Sequence, residues 1–134
     1  MGKTFATAIN CIDGRAQEPV TEYMRKTFNV DYVDMITEPG PSKVFAEGNN
    51  TNIINSLKEK IKISIDNHNS QIIVITAHYD CTANLADENV QKEQLREAVG
   101  IITSWGLPVK SITALWLNEN FEPSIVSQIL SWNN

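Results

Sequence analysis

Two short motifs carry the chemistry available to this sequence. Residues 11–15 read Cys-Ile-Asp-Gly-Arg and residues 78–81 read His-Tyr-Asp-Cys, each directly after an apolar run that resembles a buried strand. The chain has 2 cysteines and 2 histidines, and both cysteines and one histidine fall in these motifs. Thiolate and imidazole are the donors zinc prefers, and three protein ligands leave one tetrahedral position for water or a displaceable carboxylate. Cys11, His78 and Cys81 therefore read as a Zn²⁺ site. Two thiolates and a neutral imidazole cancel the ion's charge, so a neutral fourth ligand such as water suits it. Zinc lowers the pKa of bound water to about 7, and two thiolates should hold it somewhat above that.

Asp13 and Arg15 stand at alternate positions leaving the first strand, where a carboxylate and a guanidinium can form a bidentate pair. So held, Asp13 accepts a hydrogen bond from water on the metal. Released by Arg15, it swings onto the metal as fourth ligand and shuts the site. A plain salt bridge closing the loop is the other reading of the pair.

These motifs need strands to carry them. Thr4–Asn10 reads as a first buried strand, Val30–Thr37 as a second, Gln71–Ala77 as a third and Ser111–Leu117 as a fourth. Helices are expected over Glu18–Phe28, Thr51–Asn67, Glu88–Trp105 and Pro123–Trp132. The run Glu38-Pro39-Gly40-Pro41 is expected to form a rigid loop. Alternating strands and helices predict a three-layer α/β domain: a mainly parallel sheet, order 2-1-3-4, with helices on both faces. Strands one and three are then neighbours at the switch point where open sheets bind ligands, and both motifs sit at the carboxyl ends of those strands.

With 134 residues and 42% hydrophobic content, residues 1–134 are expected to form one domain without disulfide support. A net charge of −5 with no basic tract argues against nucleic acid as a partner. No apolar stretch approaches the roughly 20 residues of a membrane span, and the opening residues lack a signal-peptide layout, so a cytoplasmic location is expected. Cytosolic thiols stay reduced, which favours a metal site over a Cys11–Cys81 bridge.

Cys-x-Asp-x-Arg followed by His-x-x-Cys, each after a strand, resembles the β-class carbonic anhydrases, and the similarity covers most of the chain. That resemblance implies that Cys11, His78 and Cys81 bind zinc and that Asp13 and Arg15 form a gating dyad. It further implies that zinc-bound hydroxide attacks carbon dioxide to give bicarbonate, in a homodimer or higher homo-oligomer. Two departures stand out. Thr82 follows Cys81 where the family carries glycine, and Glu38-Pro39-Gly40-Pro41 replaces its Arg-Asn-Ala-Gly loop. They keep two alternatives open: hydrolysis of carbonyl sulfide or carbon disulfide, and a non-catalytic zinc-binding homologue. A thiol redox protein ranks last.

Other residues have plainer readings. His68 ends a helix, where the dipole favours its charged form. Asp80 is read as solvated or as capping its turn, and Tyr79 as lining the pocket or packing on a partner chain. Trp105, Trp116 and Trp132 are read as core or dimer packing, and Lys58, Lys60 and Lys62 as a solvated helix face.

Overall fold

The computed structural model describes residues 2–131. Strands β1 (Phe5–Asn10), β3 (Ile72–His78) and β4 (Ser111–Leu117) are built almost wholly of buried residues, as befits parallel strands covered on both sides. β2 (Tyr32–Thr37), mostly half-buried, and β5 (Pro123–Leu130), largely exposed, form the edges. The sheet order is β2-β1-β3-β4-β5, parallel throughout except for the antiparallel β4–β5 pair. The expected order 2-1-3-4 is present, extended by one strand.

On one face lie α2 (Pro41–Glu47), α3 (Thr51–His68) and α4 (Glu88–Ser104). Leu57, Ile61 and Ile65 of α3 and Leu95, Val99 and Ile102 of α4 share one core with Ile9, Ile73, Ile75 and Trp116 of the sheet. The other face is covered by α1 (Gln17–Phe28), whose Val20 and Met24 pack on Ala6, Ala8, Val74 and Leu115. The three alanines at positions 6, 8 and 16 let α1 lie close to the strands. Side-chain caps set the starts of the long helices: Asn50 accepts from the Ile53 N–H and Asp87 from the Val90 N–H.

Two expectations require correction. The segment Pro123–Trp132 does not form a helix; residues Pro123–Leu130 form β5, and Trp132 lies outside the described residues. Ile125, Val126, Ile129 and Leu130 have helical spacing, but the open backbone edge of β4 needs a partner and a tight turn supplies it. The Asn118 side chain accepts from the Asn120 and Glu122 N–H groups at 2.9 and 3.0 Å, reversing the chain. Pro123 then opens an edge strand, where a missing N–H costs nothing. Second, the Pro-Gly-Pro run is a loop only as far as Gly40. Pro41 takes the first helical position of α2, a place proline suits, and α2 inserts Phe45 into the core.

Candidate metal centre

The site is built by the ladder that joins β1 to β3. Thr7, Ala8 and Ile9 lie opposite Ile73, Val74 and Ile75, and this register carries the carboxyl ends of both strands to the same place. Asn10, fully buried, locks them there. Its Oδ1 accepts from the Cys11 N–H at 3.0 Å and the Thr76 hydroxyl at 2.6 Å, while its Nδ2 donates to the Ala16 carbonyl at 3.1 Å. Gln17 reaches back to donate to the carbonyls of Cys11 and Asp13 at 2.8 and 2.9 Å. The 38–41 loop is drawn in by the Glu38 N–H, which donates to the Asn10 carbonyl. Gly40, at φ +55°, passes so close to the 81–84 turn that a Cβ there would stand 3.3 Å from the Ala83 carbonyl oxygen.

Cys11, His78 and Cys81 converge here, all buried, with one ligand atom from each within 4.8 Å of the others. The two Sγ atoms are 3.9 Å apart, and both cysteines are free. Two sulfurs at zinc bonding length on a tetrahedron would stand about 3.8 Å apart. His78 Nδ1 lies 2.7 Å from the Tyr79 carbonyl oxygen. A carbonyl only accepts, so Nδ1 carries the proton and Nε2 presents its lone pair, as in a metal-binding histidine whose other ring nitrogen is held by a carbonyl. That Nε2 is buried and has no hydrogen-bond partner. A buried orphan acceptor beside two thiols fits a soft divalent ion well.

Asp13 and Arg15 also come to the site. Arg15 donates from Nε to Asp13 Oδ1 at 3.0 Å and from Nη2 to Oδ2 at 2.7 Å, a bidentate pair. Asp13 Oδ2 is at the same time 3.9 Å from His78 Nε2, so one oxygen faces both the guanidinium and the candidate metal position. The Arg15 guanidinium and backbone N–H hold the Asp13 carboxyl down to about 2. Burial alone would push the Cys11 thiol up, but the His78 ring and the N–H groups of Gly40 and Asp13 outweigh it and bring it down to about 7. Burial and the neighbouring Cys11 push Cys81 up. Burial opposes the charged form of His78, yet Cys11, the Tyr79 carbonyl and Asp13 together raise it.

A pocket of about 340 Å³, lined by Cys11, Ile12, Asp13, Pro39, Thr82 and Ala83, reaches the cluster at Cys11 and at the Asp13 carboxylate. A larger groove of about 820 Å³ between α1 and residues 121–123 includes neither Cys11 nor Asp13, so the smaller pocket is the one placed for chemistry. His68 lies at the opposite ends of the strands, stacked on Phe5 at 4.1 Å and paired with Asp34 at 2.7 Å, remote from this centre. Tyr79 is half exposed. Asp80 is exposed but bonded, since its carboxylate lies 3.3 Å from Arg15 Nη1. Sequence reasoning missed Asn10, Gln17 and Thr76. For Asn10 and Thr76 the available signal was a polar residue at or near the end of an otherwise largely apolar strand; Gln17, at the start of α1, gave none.

An open α/β sheet with a buried Cys-His-Cys cluster at its switch point defines a class of metal-site domain. Residues 1–127 match the family model described as "Putative carbonic anhydrase", and the chain belongs to that family. No curated protein matches at the sequence level. Among solved structures the chain is similar to β-carbonic anhydrase isoform I of Trichomonas vaginalis, with a TM-score of 0.61 at 14% identity over 94% of this chain and 85% of that one. It is also similar to the carbonic anhydrase of Glaciozyma antarctica, with a TM-score of 0.55 at 16% identity over 90% and 81%. At such identities these two likenesses speak for the fold. Among the described residues, no helix is long and apolar enough to cross a membrane.

Proposed function

We propose that this protein is a zinc enzyme that hydrates carbon dioxide to bicarbonate, with Cys11, His78 and Cys81 holding the metal and Asp13 and Arg15 serving the nucleophile. The observation that carries this reading is the orphan His78 Nε2, buried beside two sulfurs 3.9 Å apart and facing an Asp13 carboxylate already engaged by Arg15. Zinc at this place supplies Lewis acidity, which makes hydroxide available from water near neutral pH. The chain's own groups do the rest. Two thiolates and neutral His78 neutralise the ion. Asp13, ionised throughout the working range, can only accept a hydrogen bond, so its Oδ2, 3.9 Å from His78 Nε2, would hold a proton-bearing nucleophile beside the metal position and orient it. Ile12, Pro39 and Ala83 give the pocket an apolar wall suited to a small linear molecule without charge.

The working unit in this reading is a homodimer. Ile12, Tyr79, Leu85 and Val90, from the segments that flank the site, are exposed apolar side chains; Leu85 is 88% exposed and would gain most from a second copy. Light scattering on the purified protein tests this.

The activity is tested by loading the protein with zinc to about one ion per chain and following carbon dioxide hydration by stopped flow from about pH 6.5 to 9, the range around zinc-bound water. Rates that rise with pH and vanish in His78→Ala support the proposal. Full zinc occupancy without hydration overturns it. A second substrate reading, carbonyl sulfide or carbon disulfide, is favoured by Thr82, whose side chain lines the pocket where the family carries glycine. Release of hydrogen sulfide at a higher kcat/KM than carbon dioxide turnover would replace the first reading with the second.

A further inference from the structure

The Asp13–Arg15 pair is not held by its own two side chains alone. Asp13 takes the Nε hydrogen of Arg15 and one hydrogen of Nη2. Asp80 takes the complementary pair, one Nη1 hydrogen on its carboxylate at 3.3 Å and the second Nη2 hydrogen on its backbone carbonyl at 3.2 Å. The two acidic residues therefore do not compete for donors, and four of the five guanidinium hydrogens are engaged. The Arg15 Cζ lies over the Phe121 ring, 4.8 Å from its centroid. The same ring packs against His78, with centroids 5.5 Å apart.

Backbone conformation sets these two residues apart. Four non-glycine residues of the described chain have positive φ, and two are asparagines that close helices. The other two are Asp80, at 59°, and Phe121, at 57°. The left-handed region is tolerated by glycine, asparagine and aspartate and disfavours a bulky ring, so Asp80 is at ease there and Phe121 is strained. The reversal after β4 is held by the Asn118 side chain and by two backbone bonds, Phe121 N–H to the Asn118 carbonyl and Asn118 N–H to the Glu122 carbonyl. None uses the Phe121 side chain, and glycine at position 121 would serve the turn at less backbone cost. Strain held at a site is a pointer to a role there. The strained residue, Phe121, is one that touches Arg15, and the turn conformation of Asp80 brings both its carboxylate and its carbonyl to the same guanidinium.

We propose that Asp80 and Phe121 are positioning residues that clamp Arg15 onto Asp13 and so keep the Asp13 carboxylate from turning onto the metal position. This rests on the metal-centre reading above. With the clamp weakened, Arg15 releases Asp13 more often, and the carboxylate competes with any exogenous ligand for the metal. Phe121 ties the clamp to a candidate ligand, because one ring touches both His78 and Arg15.

The test uses the full chain loaded with cobalt(II), a spectroscopic stand-in for zinc in nitrogen and sulfur sites, titrated with azide and read from the visible bands of the metal. Asp80→Asn and Phe121→Leu are each expected to weaken azide binding about three-fold, and the double variant about ten-fold, at unchanged cobalt content. Phe121→Tyr, which keeps the ring, is expected to match the parent. A merely structural role would lower thermal stability without moving azide affinity. Asp80 is exposed, so Asp80→Asn is expected to fold and carries the test even if the Phe121 variants do not. A parent that responds to azide, with folded, fully loaded variants within about two-fold of it, overturns the clamp alone. A parent that takes up no cobalt, or binds cobalt but not azide, overturns the open-centre reading and the clamp with it.

Discussion

Asn10→Ala is the substitution whose cost follows most directly from the geometry. The Asn10 side chain makes three hydrogen bonds in a fully buried position, to the Cys11 N–H, the Thr76 hydroxyl and the Ala16 carbonyl. At about 1 kcal/mol each, the loss comes to about 3 kcal/mol, before any penalty for the partners left dry and unpaired. That is a large fraction of the total stability of a small domain. With a urea dependence of about 1–3 kcal/mol per molar, the unfolding midpoint should fall by about 1–3 M. Thr76→Val removes only one of the three bonds and should cost about 1 kcal/mol. In the double variant that bond cannot be lost twice, so the two effects should fall short of additivity by about 1 kcal/mol. Zinc affinity should drop by about 10–100-fold in Asn10→Ala, because the Cys11 backbone loses its anchor. A midpoint shift under about 0.3 M, or strict additivity with Thr76→Val, would refute the claim that Asn10 fixes the two strand ends together.

Gly40→Ala puts a Cβ 3.3 Å from the Ala83 carbonyl oxygen and asks alanine to adopt φ +55°. The expected loss is about 2 kcal/mol, seen in calorimetry as a Tm lower by about 6–10 °C; a drop under about 2 °C would show that the loop relaxes freely. Asp13→Asn should show a pH-dependent stability difference. The folded-state pKa of about 2 lies below the ordinary value, so the contribution of the Asp13 carboxylate is fully present above about pH 4 and is lost as pH falls through the folded value. Urea titrations of parent and variant should therefore keep a constant gap at neutral pH and converge in acid. A gap undiminished near pH 2 would contradict the Arg15 pairing as its source.

The residues that the sequence disclosed are those whose type is informative by itself. Cys11, His78 and Cys81 are uncommon side chains at the ends of apolar runs, and Ile72–Ala77, apolar but for Thr76, is so rich in isoleucine and valine that a central buried strand is its natural home. The faces of α3 and α4 were legible because their apolar residues keep the helical period. β5 was hidden for the same reason, since Ile125, Val126, Ile129 and Leu130 also keep that spacing. What decided their conformation was the unpaired edge of β4, which no local window contains. Asp80 and Phe121 were illegible as partners of Arg15. Nothing in the letters Asp or Phe announces a left-handed backbone, and the contacts join positions that only the β1–β3–β4 pairing makes neighbours.

The separation of Cys11 and Cys81 by 70 residues also has a bearing on how the chain matures. In short zinc modules the ligands are near in sequence, and the ion can organise the peptide around itself. Here the donors meet only after β1 has paired with β3 across an excursion that includes β2, α2 and α3. Closing so long a loop is slow compared with forming helices or the local β4–β5 hairpin. Translation at about 5–20 residues per second also leaves Cys11 waiting about 4–14 s for Cys81 to be synthesised. In the zinc reading, capture of the ion would therefore follow folding rather than nucleate it, and Cys11 would have to stay reduced and unclaimed through that interval.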